Sequence, residues 1–364
     1  MSEYGKLGID YDVLDASKRD AIGFAQSTSH LLAQHGASAV EASRGASAFV
    51  LALAGQHLAF VVEGLGTKSM IARRWMQDAG EDRFADIGVD AVGAIVNDVC
   101  SVGALPLVVN AYFATGRSDW HAGSSALQSL LAGWHRGCEL SQAAWGGGES
   151  PALPGLVAPD EIELAGSAIG LIPAEWGPVL GDELRDGDAI VLVDSAGLHA
   201  NGASLARSVA DGLPDGLLSA MPSGRRFGDA LLDPSVIYVP LVAELRRRAI
   251  RPSYLSHITG HGMRKLMRAS VELTYVVDEL PPVPEVLSYL VEHAGIDQRE
   301  AYGTFNMGAG YAVYVAAEQA PAVVEAAAAC GMRAIVGGHV EAGARAVTLA
   351  ALDITYAGDE LELG

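Results

Sequence analysis

His57-Leu-Ala-Phe-Val-Val-Glu63-Gly-Leu-Gly-Thr-Lys68 reads as a buried strand running into a glycine turn that carries an acid, a hydroxyl and an ammonium. Gly64 and Gly66 let the backbone approach a ligand with no Cβ in the way. Such a corner suits a phosphate. Lys68 offers a point charge, Thr67 a hydroxyl, the turn its backbone N–H groups, and Glu63 a carboxylate for a magnesium ion bridging phosphate oxygens. Taken alone, the same residues equally describe a strand-to-helix turn with solvated charges. The spacing is not that of a Walker loop, which sets four residues between its first glycine and its Gly-Lys-Ser/Thr.

Downstream of this corner, Ser69 to Trp75 reads as a short basic helix, and Asp86 to Gly103 is a longer one with Val89, Val92, Val96 and Val99 in its apolar set. Asp90, Ala94, Asn97 and Ser101 recur at helical spacing on a different stripe, giving an apolar helix one narrow polar face. Asp90 and Asn97, with Asp98 adjacent, can bind an ion or ligand there, or can be buried groups satisfied by backbone. Strands follow at Leu105 to Phe113 and Ile162 to Ile172, separated by a helix over Ala122 to Leu140 and a Gly/Pro-rich loop that contains Glu149. Upstream, residues 15 to 36 have the pattern of one helix ending at Gly36, and the Ala/Ser-rich stretch from Ala39 to Leu53 has no clear period.

Pro173 to Leu184, with its Pro, Trp and Gly residues, marks a boundary between domains 1–172 and 173–364. The βα pattern restarts beyond it: a strand at Ala189 to Val193, helices at Ala203 to Ala210, Val236 to Ile250 and Met263 to Arg268, and a strand at Val271 to Val277. A helix at Pro284 to His293, a strand at Gly310 to Ala316, a helix at Ala320 to Cys330 and two last strands complete it. This alternation predicts sheets packed with helices, a two-domain α/β (α+β) protein. Two of its turns hold chemical groups where α/β sheets place ligands: Asp194 to Ser204, with His199 and Asn201, and His257-Ile-Thr-Gly-His-Gly262, with Thr259 and Gly260 ahead of Lys265. His199 can transfer a proton at neutral pH or only donate a hydrogen bond. Asn306 lies in a third turn, Thr304-Phe-Asn-Met-Gly308, ahead of a strand.

Composition narrows the field. The 364 residues carry a formal charge of −20, which argues against a nucleic-acid groove while leaving small phosphorylated ligands open. Every long apolar run is interrupted before it could cross a bilayer, and the N-terminus lacks a secretion signal, so a soluble cytoplasmic protein is expected. Cys100, Cys138 and Cys330 are too scattered for a zinc site or a disulfide frame.

The order of the motifs says more than any one of them. Glu63-Gly-Leu-Gly-Thr-Lys68, Gly88-Val-Asp-Ala-Val92, Val96-Asn-Asp98, Gly103-Ala-Leu-Pro106, Tyr112-Phe-Ala-Thr-Gly116, Gly147-Gly-Glu149, Ser195-Ala-Gly-Leu-His-Ala-Asn-Gly202, His257-Ile-Thr-Gly260 and Thr304-Phe-Asn-Met-Gly308 follow one another as in aminoimidazole ribonucleotide synthetase. The chain resembles that family over almost its whole length, from Gly8-Ile-Asp10 onward. The resemblance implies two α/β domains, a homodimer formed through the first, and ATP and magnesium as cofactors. The implied substrate is a small phosphorylated nucleotide. The implied reaction is a cyclo-ligation: ATP phosphorylates the formamide oxygen of formylglycinamidine ribonucleotide, and the amidine nitrogen attacks the activated carbon and expels phosphate.

Carried over by position, Glu63, Asp90 and Asp98 would serve the metal. Gly64, Gly66, Thr67, Lys68, Asn97 and Glu149 would serve the nucleotide, and His199, Asn201, Thr259, Gly260 and Asn306 the substrate, with Lys68, Asp98 and His199 in catalytic roles. Glu63 stands where the family has Asp, and Ser43 to Val50 reads SRGASAFV in place of a Gly-Gly-Phe-Gly loop. Ala111, Ala152, Val236, Pro240 and His261 replace Asp, Glu, Arg, Lys and Gly. A paralogue using ATP on another substrate and a non-catalytic dimeric binding protein are the alternative readings.

Overall fold

The computed structural model describes residues 11–122 and 124–361, so Gly8-Ile-Asp10, where the family resemblance begins, lies outside the described residues. Two mixed sheets organise the chain. The first has the order β1-β2-β3-β6-β4-β5, from β1 (Ala37–Ala39), β2 (Phe49–Leu53), β3 (Gln56–Gly64), β4 (Leu105–Thr115), β5 (Ala144–Glu149) and β6 (Ile162–Ile172). Its pairs are antiparallel except β4 with β5. The second has the order β13-β12-β9-β11-β7-β10-β8, from β7 (Asp188–Asp194), β8 (Tyr254–His257), β9 (Leu273–Val277), β10 (Ala309–Ala316), β11 (Ala334–Ala342), β12 (Ala346–Leu349) and β13 (Ile354–Ala357). Only β12 with β9 runs parallel there.

The helices are α1 (Tyr11–Ser27), α2 (Lys68–Ala79), α3 (Phe84–Cys100), α4 (Ser125–Leu140), α5 (Ala203–Gly212), α6 (Phe227–Leu231), α7 (Val239–Arg247), α8 (Glu285–Ala294), α9 (Gln298–Tyr302) and α10 (Ala320–Ala329). None of the described helices is long and apolar enough to cross a membrane. α3 is the central rod. Its valines and isoleucines are buried, and α4 crosses it so closely that a Cβ on Gly133 would stand 1.9 Å from Ala85 O and one on Gly88 2.5 Å from Trp134 N. Glycine is required at that crossing because backbone meets backbone, so a side chain cannot rotate out of the way.

Several elements differ from the sequence expectation for identifiable reasons. The helix expected over 15 to 36 ends at Ser27, and a 3₁₀ run, Ser29–His35, continues to Gly36 at φ 68°. Met263 to Arg268, expected as an α-helix, lies in a 3₁₀ run, Gly262–Met267, because His261 and Gly262 enter it with φ of 71° and 51°. The helix expected from Val236 starts only at Val239, since the backbone from Ser235 to Tyr238 is bonded to side chains of α3. The unassigned Ala/Ser-rich stretch contributes β2 and the last residue of β1.

Residues 235–238 form the seam between the two sheets, and the polar stripe of α3 is what they dock on. Asn97 donates from Nδ2 to Val236 O at 2.9 Å and accepts from Tyr238 N at 2.8 Å. Asp90 Oδ1 accepts from Ser235 N at 2.8 Å and Ser235 Oγ at 2.5 Å. Ser101 bonds the hydroxyl of Tyr311, which stacks on Tyr238 at 4.9 Å between ring centres. At the rim, Arg83, the residue ahead of α3, pairs with Asp86 in the first turn of that helix and with Asp229 across the seam.

Candidate active site

The turn after β3 divides the opening motif into two halves that point to different places. Glu63 and Gly64 line a cavity of 1140 Å³ between the sheets. Gly66, at φ 74°, reverses the backbone, and Lys68 then runs into the seam as the first residue of α2. There its Nζ lies 2.6 Å from Asp90 Oδ2 and donates to Asp233 O at 3.1 Å, with both side chains fully enclosed. Asp90 Oδ2 has no other partner. Burial pushes the Asp90 carboxyl up, against the pull of Lys68 and Ser235. Thr67 bonds Ser204 across the seam at 3.0 Å.

The cavity collects a second set of charges. Asp98, 7% exposed, bonds His257 Nδ1 at 2.6 Å, and both line the cavity beside Glu63, Lys265 and Arg268. Burial works against the Asp98 charge, yet His257, Lys265 and Arg268 together hold it below the usual carboxylate range. Glu63 suffers the opposite outcome: burial and the neighbouring Asp98 charge push it up to about 8. At neutral pH the two carboxyl groups therefore carry one proton between them. Lys265 is pushed down to about 7 by burial and by Arg268.

Two carboxylates on one cavity wall are a fitting donor set for magnesium, which takes one or two carboxylates and completes its shell with phosphate oxygens and water. Asp90, the third acid expected at the metal, is turned away onto Lys68. Among the described residues no group of three or more His, Cys, Asp or Glu forms a ready-made metal cage.

His199 lines the same cavity in a left-handed backbone at φ 58°. Its Nε2 lies 3.1 Å from Ala196 N and 3.4 Å from Val236 N, both donors. Nε2 must then be the unprotonated nitrogen and Nδ1 the N–H, and that buried Nδ1 has no partner. Burial, Lys68 and His257 lower the imidazole to about 3, so His199 is a fixed neutral donor at physiological pH. Of the two roles the residues allow, hydrogen-bond donation fits this environment.

Asn97, Asn201, Thr259 and Gly260 also line the cavity, although the Asn97 amide is engaged in the seam. Asn306 does not line it. Its Oδ1 accepts from Ser195 Oγ and Gly308 N while Nδ2 donates to Gly197 O, so it braces the 195–199 turn from below. Glu149 is exposed on the edge strand β5, bonded to the N–H of Ser150, and is not among the cavity residues.

Three participants were given no place in the site from sequence. His257 orients against Asp98. Arg268 donates to Gly45 O, Ala46 O and Ser47 Oγ, fastening the SRGASAFV loop down. Asp15 of the otherwise exposed α1 reaches His261 Nε2 at 3.1 Å, holding α1 across the cavity mouth. The proximity of His257 and Arg268 to Asp98 depends on contacts more than 150 residues apart, for which no local pattern exists.

Two mixed sheets joined by a polar seam, with acids, imidazoles and a glycine turn on one interdomain cavity, define a two-domain α/β enzyme built to hold a charged small molecule. The chain belongs to the AIR synthase related family: residues 45–172 match the family's N-terminal domain and 185–349 its C-terminal domain. Curated relatives are named phosphoribosylformylglycinamidine cyclo-ligase. That of Lachnospira eligens is 34% identical over 292 residues, covering 79% of this chain and 82% of its own. That of Myxococcus xanthus is 35% identical over 289 residues, covering 77% and 79%. Solved structures share the fold at lower identity. Hydrogenase maturation protein HypE in complex with ATP aligns at 20% identity and TM-score 0.60, over 84% of this chain and 85% of that one. Thiamine monophosphate kinase from Aquifex aeolicus aligns at 17% and 0.54, over 83% and 91%. The sequence relatives thus favour the cyclo-ligase activity among those found on this fold.

Proposed function

We propose that the interdomain cavity closes the imidazole ring of a purine precursor: ATP and formylglycinamidine ribonucleotide give aminoimidazole ribonucleotide, ADP and phosphate. The observation that carries this reading is the convergence of Glu63, Asp98, His199, His257, Thr259 and Gly260 on one cavity, in a chain whose sequence relatives are cyclo-ligases. The γ-phosphoryl group passes to the formamide oxygen, the amidine nitrogen bonds to the formamide carbon, and that carbon's bond to the phosphorylated oxygen breaks to release phosphate.

Glu63 and Asp98 would hold magnesium, which supplies charge neutralisation for the phosphate oxygens when bound. The His199 Nδ1–H donates to a substrate oxygen, a role that needs a fixed tautomer and no charge. His257, oriented through Nδ1 by Asp98, takes the proton shed by the attacking nitrogen. Thr259 and Gly260 hold the substrate together with Asn201. Lys68 and Asp90 serve from behind, fixing the angle at which the turn presents Glu63.

A homodimer and a cytoplasmic setting belong to the same reading. Phe60 and Ile169 face each other across β3 and β6 and Val62 follows on the same face, 43%, 39% and 65% exposed, an apolar surface suited to a second copy. Sedimentation analysis tests the dimer. The activity is tested by supplying purified protein with ATP, magnesium and formylglycinamidine ribonucleotide. Aminoimidazole ribonucleotide and equimolar phosphate are expected, and absence of product at high enzyme concentration would sink the reading.

A further inference from the structure

The cavity needs a cation for phosphoryl oxygens, and the residue that the motif offers for it is occupied elsewhere: Lys68 is sealed against Asp90. Arg268 lines the cavity but spends its guanidinium on the carbonyls of Gly45 and Ala46 and the hydroxyl of Ser47. Lys265 differs from both. It is 7% exposed, lines the cavity, and its Nζ has no hydrogen-bond or ion-pair partner among the described residues. Its backbone is fixed, since the carbonyl accepts from Ser256 Oγ at 2.9 Å and the residue sits inside the 3₁₀ run that follows the Thr259-Gly260 turn. An enclosed ammonium without a partner is costly for a protein to keep unless something supplies the partner.

We propose that Lys265 binds a phosphoryl anion in this cavity, as the cation that the glycine-turn motif assigns to Lys68. The ligand class is a phosphate monoester or polyphosphate of a nucleotide. Its oxygens would enter between Lys265 and the metal-binding side of Glu63 and Asp98, with the N–H groups of the 259–262 turn beside them. A point charge on a flexible stem suits this task, because it follows a phosphoryl group without requiring one planar geometry. This inference rests on reading the cavity as a nucleotide site, and it names the residue that holds the charge there.

Calorimetric titration of the full chain with AMPPCP and magnesium, and separately with ribose 5-phosphate, decides it. Lys265→Met should lose about tenfold or more in affinity for one of the two probes, and the probe affected identifies which phosphoryl group Lys265 meets. Lys265→Arg should keep affinity within a few-fold. In thermal denaturation the probe-induced rise in melting temperature seen with the parent should disappear in Lys265→Met. Unchanged affinity for both probes, or a parent protein that binds neither, overturns the proposal. A parent that makes no aminoimidazole product yet binds a probe that Lys265→Met loses would refute the cyclo-ligase reading and leave the inference standing. Equal kcat/KM in parent and Lys265→Met would do the reverse.

Discussion

Two charged clusters lie within one turn of each other and have opposite fates. At the seam, Lys68 and Asp90 close on each other, fully enclosed and away from the cavity lining, and Ser235 takes the remaining carboxylate oxygen. In the cavity, Glu63 and Asp98 repel, one is held protonated by the other, and Lys265 stands by with no partner. Both clusters combine a lysine with carboxyl groups, the seam pair fully enclosed and Glu63 only partly buried. The difference is whether the folded chain satisfies its own polar groups, and groups left unsatisfied on an open cavity are the ones a ligand can complete.

Separating the seam pair should have the largest effect. Lys68→Met leaves Asp90 enclosed without a counter-charge and is expected to cost about 3–5 kcal/mol in urea unfolding, whereas the double variant Lys68→Met with Asp90→Asn, which removes the charge and keeps an acceptor for Ser235, should recover much of that. A Lys68→Met protein of parental stability would erase the distinction between the clusters. In the cavity the expected loss is one of activity. Asp98→Asn frees His257 and removes the charge that raises Glu63, so turnover should fall by about a hundredfold or more with the fold intact, as assayed by product formation alongside circular dichroism.

A pH series sharpens the contrast further. Glu63 is raised in the folded state to about 8, so the folded protein binds more protons than the unfolded chain above the ordinary carboxylate pKa. Its stabilising contribution is complete below pH 4.5 and is lost as pH rises toward 8. Relative to Glu63→Gln, the parent's urea midpoint should therefore fall between pH 5 and 7, while His199, lowered to about 3, moves both proteins the opposite way and cancels in the comparison. The smallest effect is expected at the hinge between the clusters. Gly66 has open space around its Cα but φ of 74°, so Gly66→Ala should cost about 1 kcal/mol through backbone strain alone. Thermal denaturation measures it.

The architecture was legible where the periodicity was strong. The strand into Glu63, the apolar helix through Asp90 and Asn97 and the restart of βα units after Ile172 are all present in the structure. Element ends were less legible, because the start of α7 depends on α3 side chains claiming the backbone before it. The polar stripe of α3 could be recognised from spacing, but its partner could not: Asn97 and Asp90 find theirs 139 to 145 residues away. The same holds for Lys68, whose sequence context is that of a phosphate ligand and whose position is set by the packing of the second sheet.

The seam also bears on how the molecule comes apart. The Asn97 amide is satisfied entirely by residues 236 and 238, and Asp90 and Lys68 each draw a partner from 233 to 235. If the chain were cut in the connector between Ile172 and Asp188, the first half would face water, or itself, with the Asn97 amide stripped of its partners and the Lys68–Asp90 pair uncovered and without its bonds to Asp233 and Ser235. The halves should then be unable to melt one after the other. A single calorimetric transition is expected for the intact chain, and co-expressed halves should be recovered only together.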